Sequence, residues 1–383
     1  MQWTFMLKKN ACARMKCWLL VLLPAINVSV QAQTTDGTNR SAAKDSISME
    51  ERFSYHFQTT VIAQHQLDYT APYSGTNSLL TSEPERLSLT STLFLGARLW
   101  KGAEILLNPE LSGGRGLSAT RGVAGFPNGE TYRIGDPEPV LSISRLFLRQ
   151  AFNLSNDWQN TSGGQNILAG RAATSRIVIT LGKFSVTDIF DANTYSHDPR
   201  NQFMNWAIMS AGAWDYPANT RGYTYGLAVE LIKPKWSVKA GLTLVPETAN
   251  GPFMDMNVDK AHSATLEINR LYHINKRKGV IRLIGYFTQG YLGSYAAAVA
   301  DTPYHPHIEP TRSYAHAKGG FAINIEQELS NNMGLFARLS WNDGKNETWA
   351  FTEIDQSLNF GAQLNGSIWK RTSDKLGISF LIN

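Results

Sequence analysis

The chain has 383 residues, 11% of them aromatic and 17% charged, with a formal net charge of +5 and a mean hydropathy of −0.24. Both cysteines, Cys12 and Cys17, lie in a basic and apolar leader, so the chain beyond it holds no disulfide, thiolate metal site or cysteine nucleophile. Four of the 36 basic residues (Lys8, Lys9, Arg14 and Lys16) lie there too, leaving 32 against 31 acidic ones, a net of +1 that excludes the concentrated basic field a nucleic-acid partner needs.

Residues 1–32 have the form of a cleaved export signal. A basic start precedes the apolar run 17–23 (CWLLVLL), and Val30-Gln31-Ala32 is a small-residue cleavage site. The apolar run falls short of the ~18 residues that a spanning helix needs. Residues 33–49 are polar and predict a flexible N-terminal segment. Residues 50–383 predict one all-β unit.

From residue 50 onward, period-2 hydrophobicity recurs in segments separated by turn residues. About 13 strands are expected, near 51–64, 87–99, 101–110, 143–152, 176–184, 221–233, 235–245, 262–273, 280–290, 319–329, 333–342, 357–369 and 375–382. In 236–244, for example, Trp236, Val238, Ala240, Leu242 and Leu244 alternate with Ser237, Lys239, Gly241 and Thr243. Such strands exceed the usual ~5–6 residues of a soluble sandwich and match the ~9–11 that cross a bilayer at a tilt. Aromatics near strand ends (Trp100, Tyr223, Trp236, Tyr272, Tyr286, Trp341 and Trp369) suit two interfacial girdles. Tight turns (233–235, 275–279, 330–332) alternate with long links (65–86, 111–142, 185–220, 246–261, 291–318, 343–356). That rhythm predicts a transmembrane antiparallel β-barrel in the bacterial outer membrane.

The segment 185–220 is too long for an idle connection. It and the residue after it carry Asp188, Asp191, Asn193, Asp198, Arg200, Asn205, Trp206, Trp214, Asp215, Tyr216 and Arg221. Carboxylates, guanidinium groups and amides match sugar hydroxyls, and aromatic rings match sugar C–H faces. A conducting pore must bind weakly at several points, so these residues are the candidate constriction. Arg98, Arg145, Arg149 and Arg338 lie within strands and are expected on the lumen wall, because Arg facing lipid near mid-membrane costs ~2–4 kcal/mol. No metal site, cofactor or catalytic set is expected. His305-Pro306-His307 lacks acidic or Cys partners, and Gly113-Gly114-Arg115-Gly116 lacks the Lys-Ser/Thr of a phosphate loop.

The run Gly182-Lys183-Phe184, Thr187-Asp188, Phe190-Asp191, Asp198-Pro199-Arg200, Asn205-Trp206, Gly212 to Ala218 (GAWDYPA) and Arg221 to Thr224 resembles the carbohydrate-selective porin family. Similar pieces keep their order over about residues 51–383, among them Gly96-Ala97-Arg98-Leu99-Trp100, Arg145 to Gln150 (RLFLRQ) and Phe336 to Gly344 (FARLSWNDG). The resemblance implies an outer-membrane barrel of about 16 strands with inward-folded constriction loops. It also implies passive, sugar-selective diffusion rather than an enzyme. The expected partners are mono- or oligosaccharides and outer-membrane lipid, with the protein a monomer or homo-oligomer. Against the family pattern the expected strands fall about three short, which predicts a C-terminally truncated chain. The alternative expectations are a non-conducting binding or structural barrel, a truncated porin remnant, or a soluble periplasmic β-protein.

Overall fold

The structure is a computed structural model that describes residues 50–75, 78–120, 127–131, 137–350 and 353–383. The expected signal peptide (1–32) and flexible segment (33–49) lie outside these residues. Among the described residues there are fifteen strands: β1 (Phe53–Gln64), β2 (Arg86–Trp100), β3 (Ala103–Gly114), β4 (Val140–Asn153), β5 (Trp158–Thr161), β6 (Gly170–Ala173), β7 (Arg176–Phe184), β8 (Thr224–Lys233), β9 (Trp236–Thr243), β10 (His262–Ile274), β11 (Arg277–Leu292), β12 (Ser313–Ser330), β13 (Met333–Asn342), β14 (Gln356–Asn365) and β15 (Lys375–Ile382). Thirteen build one antiparallel sheet in chain order, and β5 and β6 pair separately. β1 and β15 are its two edges and are not hydrogen-bonded to each other.

The sheet is apolar outside and polar inside. On β10, Leu266 and Ile268 are exposed while Ser263, Thr265 and Glu267 are buried. On β13, Leu335, Leu339 and Trp341 are exposed while Arg338, Ser340 and Asn342 are buried. A soluble sandwich would place those apolar residues inside. The reversal is what a strand does when hydrocarbon lies on one side and water or polar chain on the other. Trp100, Trp236 and Trp369 are exposed near the short-turn end, with Phe321 and Trp341 in tilted ring contact at 5.8 Å nearer the long-loop end. Tyr223 and Tyr286 depart from the girdle expectation. Both are buried on the inner side, where their hydroxyls donate to Glu110 and to the Ala213 carbonyl. A phenol placed inward finds an acceptor that lipid cannot supply.

The short turns form as their residues dictate. Asn275 and Lys276 adopt positive φ (49° and 65°) between paired Ile274 and Arg277, a two-residue hairpin turn. Strand ends move by up to six residues from the sequence-based boundaries, and two of these shifts change an element or a link. Residues 366–369 form a 3₁₀ turn rather than the end of a strand, and the β11–β12 link shortens because β12 begins at Ser313. The separate β5–β6 hairpin has no counterpart in the sequence reading, since strands of four residues are too short to show a period.

The sheet is curled around the segment between β7 and β8. Arg200 of that segment donates to Gln58 on β1, while the Ala207 carbonyl accepts from Asn359 on β14. Eleven steps of ~4.8 Å would put β1 and β14 about 50 Å apart in a flat sheet, so one short segment reaches both only if the strands wrap it.

Candidate pore constriction

Residues 185–223 leave β7 at Phe184 and fold into the space the sheet encloses. Their own apolar residues make a small core: Phe190 meets Trp214 edge-on at 6.4 Å, and Trp206 stacks on Tyr216 at 5.9 Å. Asn205 caps the one-turn helix α1 (Trp206–Met209), its side chain accepting from the Ala207 N–H. Asp191 adopts the left-handed region (φ 56°), turning the chain back on itself.

One side of this loop is latched to β10–β14. Arg338, 1% exposed at its side chain, donates to Asp191 Oδ1 at 3.0 Å, to Ser196 Oγ at 2.6 Å and to the Ile208 carbonyl at 2.8 Å. Asn324 donates to Asp191 Oδ1 at 2.5 Å and accepts from the Asn193 amide at 2.8 Å. The backbone N–H of Asp191 donates to Glu267, and that of Ala213 to Ser340 Oγ. Asp215 accepts the Trp349 and Ala350 N–H groups at 2.8 Å each and lies 3.5 Å from Lys318 Nζ, tying the loop to the 343–355 link. Six of the expected constriction residues therefore sit in this latch or the loop core: Asp191, Asn193, Trp206, Trp214, Asp215 and Tyr216, all buried.

The opposite side faces β1–β4 and is less tightly filled. Asp188 holds Arg145 through two hydrogen bonds of 2.6 Å. Arg200 pairs with Glu130 at 2.8 Å and lies 3.8 Å from Glu110. Burial works against the Arg200 charge, but Glu130 and Glu110 outweigh it and hold its pKa above the usual value. Arg221 donates to Ser112 at 2.6 Å. Asp198 closes a local turn, accepting from the Arg200 N–H at 2.8 Å. Asp188, Asp198, Arg200, Asn205 and Arg221 are only partly covered.

All four wall arginines project on the polar face. Arg98 and Arg149 flank Glu104 at 3.3 and 3.7 Å, near the short-turn end. The pattern continues across the strands: Lys239 lies 3.9 Å from Glu230 and 3.1 Å from Glu267, and Arg282 lies 3.2 Å from Glu326. Gln58, Glu110, Lys239, Glu267, Lys318, Asn324, Glu326 and Asn342 were not among the sequence candidates. For all but Lys318, which fell in the expected link 291–318, the signal was available, since each is a polar residue on the side of its strand opposite the apolar series. No group of His, Cys, Asp or Glu that could hold a metal ion occurs among the described residues.

His197 lies beside this latch, and its Nδ1 is buried with no hydrogen-bond partner. Burial lowers its pKa and Arg338 adds to the effect, while Asp191 opposes it. The docked loop therefore holds His197 neutral, and an undocked loop protonates it first. Docking is expected to weaken as pH falls below about 6.5, the ordinary imidazole value. Single-channel conductance at pH 7.5 and pH 5 checks this. The wild type should become noisier at the lower pH and His197→Gln should not; equal pH dependence in the two would refute the assignment.

The chain was compared with known proteins. A family model described as "Carbohydrate-selective porin, OprB family" matches residues 86–383. The high-pH structure of Pseudomonas putida OprB is similar at a TM-score of 0.59 and 17% identity, covering 86% of this chain and 74% of that one. Its low-pH structure aligns at a TM-score of 0.43 and 13% identity, over 86% and 77% of the two chains. A Salmonella typhi OmpF complex with daunomycin aligns at 0.35 and 8% identity, over 87% and 98%. These two lower scores carry no weight for the fold. No curated protein matches the chain. With an inside-out antiparallel sheet wrapped around a loop, and a family match over well more than half of its length, the chain belongs to the carbohydrate-selective porin, OprB family, and is a sugar-selective porin of the outer membrane.

Proposed function

We propose that sugars pass between the 185–223 loop and the inner faces of β1–β4. The supporting observation is the asymmetry of the loop's docking. Its β10–β14 side is closed by Arg338, Asn324, Asp191 and Asp215, whereas its β1–β4 side presents partly covered groups of both signs. Asp188, Arg145, Arg200, Glu130 and Arg221 offer donors and acceptors within one passage, and sugar hydroxyls are both. Asp198 and Asn205 border it. Asp191, Asn193, Trp206, Trp214, Asp215 and Tyr216 hold the loop in place and shape the passage from behind.

The same arrangement favours uncharged solutes. Nearly every charge named above has an opposite partner within 4 Å, so an entering ion meets little net field to replace its hydration. We assign the chain to outer-membrane lipid, reached by export and removal of residues 1–32.

Liposome swelling with monosaccharides, paired with planar-bilayer recording in a KCl gradient, tests this reading. Replacing Arg145 by Met leaves Asp188 without its cation. Cation selectivity is then expected to rise and glucose permeation to change by roughly 2- to 5-fold, the effect of about 0.5–1 kcal/mol, one ordinary net hydrogen bond. Unchanged reversal potential and swelling rate in Arg145→Met would place the passage elsewhere.

A further inference from the structure

The link between β4 and β7, residues 154–175, lies at the short-turn end of the sheet, where most connections are tight turns. It holds the β5–β6 hairpin, whose tip is closed by the Gly164–Ile167 bridge. The tip folds back onto the inner face of β1–β4. Leu168 is 3% exposed and fills the space at Gly96, where a Cβ would lie 2.8 Å from its Cδ1. Glu51 accepts the Ala169 N–H at 2.8 Å, and Arg149 donates to the Asn166 carbonyl at 3.1 Å.

Gln165 at this tip donates through Nε2 to Gln58 Oε1 at 3.1 Å. The same oxygen accepts Arg200 Nη1 at 2.9 Å. Arg200 belongs to the loop that enters from the long-loop end, and Gln165 to a hairpin that enters from the other. The two inward-folded segments thus meet on a single oxygen of β1. Among the described residues no acceptor takes the Gln58 amide N–H. Asn166 Oδ1, one residue along from Gln165, is buried without a hydrogen-bond partner. Glu130 holds Arg200 at 2.8 Å and so neutralises it.

We propose that Gln58, Gln165, Asn166, Arg200 and Glu130 form a second solute subsite, which reads the hydroxyl groups of a neutral sugar where loop and hairpin meet. Two donors share one acceptor here, and a donor and an acceptor are left over. A hydroxyl accepts and donates at once, so it can take the place of one donor on Gln58 while serving Asn166 Oδ1 or the free Gln58 amide. Two amides and a mutually neutralised ion pair give an ion no comparable gain. The subsite rests on the passage proposed above and places a selectivity element in the hairpin, a segment with no charge of its own at the contact.

The test is block of single-channel current by glucose, in wild type and in Gln165→Ala, whose exposed tip position leaves the barrel fold undisturbed. The half-blocking concentration is expected to rise about 3- to 10-fold. A Gln165→Cys variant gives a readout independent of conduction: glucose should slow its modification by a small, charged thiol reagent. A half-blocking concentration unchanged in Gln165→Ala, together with no protection of the cysteine, would overturn the subsite while leaving the pore reading intact. A raised ionic conductance with unaltered glucose block would make the hairpin a plug without recognition, and would also overturn it. Absence of any glucose block in the wild type would remove the pore reading, and the subsite with it.

Discussion

Replacing Arg338 by Leu is expected to undock the constriction loop. Arg338 is fully buried, and its guanidinium satisfies Asp191, Ser196 and the carbonyls of Ile208 and Met209 at once. Leucine fills part of the volume but strands the Asp191 carboxylate in a site closed to water. Breaking a buried pair on one side costs about 3–5 kcal/mol, well above what one surface contact of the loop returns. Ionic conductance should therefore increase several-fold, glucose block should weaken, and the thermal transition of the barrel should fall. Arg338→Leu combined with Asp191→Asn removes the orphaned charge and should recover part of the stability but not the latch. Wild-type conductance in the single variant would show that the loop is held by its apolar core alone.

A positive charge at the middle of the outer face should be equally severe. Ile268 is the midpoint of β10, flanked across the ladder by Val238 and Leu283, and its side chain is exposed on the apolar surface. Against hydrocarbon, Ile268→Arg should cost ~2–4 kcal/mol, the penalty for Arg at the bilayer midplane. Ile268→Ala should cost little there, because a lipid chain takes up the space. The measurement is folding equilibrium into lipid vesicles, followed by urea titration. Tolerance of Ile268→Arg at full stability would mean that this face does not contact lipid, and the membrane assignment would fail.

Much of this architecture was legible in the chain because a strand's side chains alternate by geometry. Val238, Ala240 and Leu242 mark one face whatever the tertiary fold, and the turn segments 233–235 and 275–279 mark where strands end, the second narrowing to Asn275-Lys276 in the structure. The spacing of long and short links likewise distinguished the two ends of the sheet. Alternation alone does not say which face is inside. Membrane strand length did, and the exposed Leu266 beside the buried Glu267 agrees with it.

The candidate loop was legible as a segment but not as a set of roles. Asp188, Asp191 and Asp215 look alike in sequence. Their partners lie far along the chain, Arg145 for the first, Arg338 for the second and the 349–350 backbone for the third. Those contacts depend on how the sheet curls, which no local pattern encodes. The inward turn of the 154–175 hairpin was invisible for the same reason, since its four-residue strands carry no period and its anchors are Gly96, Arg98 and Gln58 on other strands.

By itself, then, the sequence determined the long membrane-type strands of the main sheet, the family resemblance and the long inward segment between β7 and β8, because each is written in residues close together or in ordered motifs. Only the tertiary structure decided which side of that loop is sealed, which charges are paired, and that a second segment approaches from the opposite end. Those outcomes follow from long-range packing, in which a buried charge goes wherever the curled wall offers it a partner.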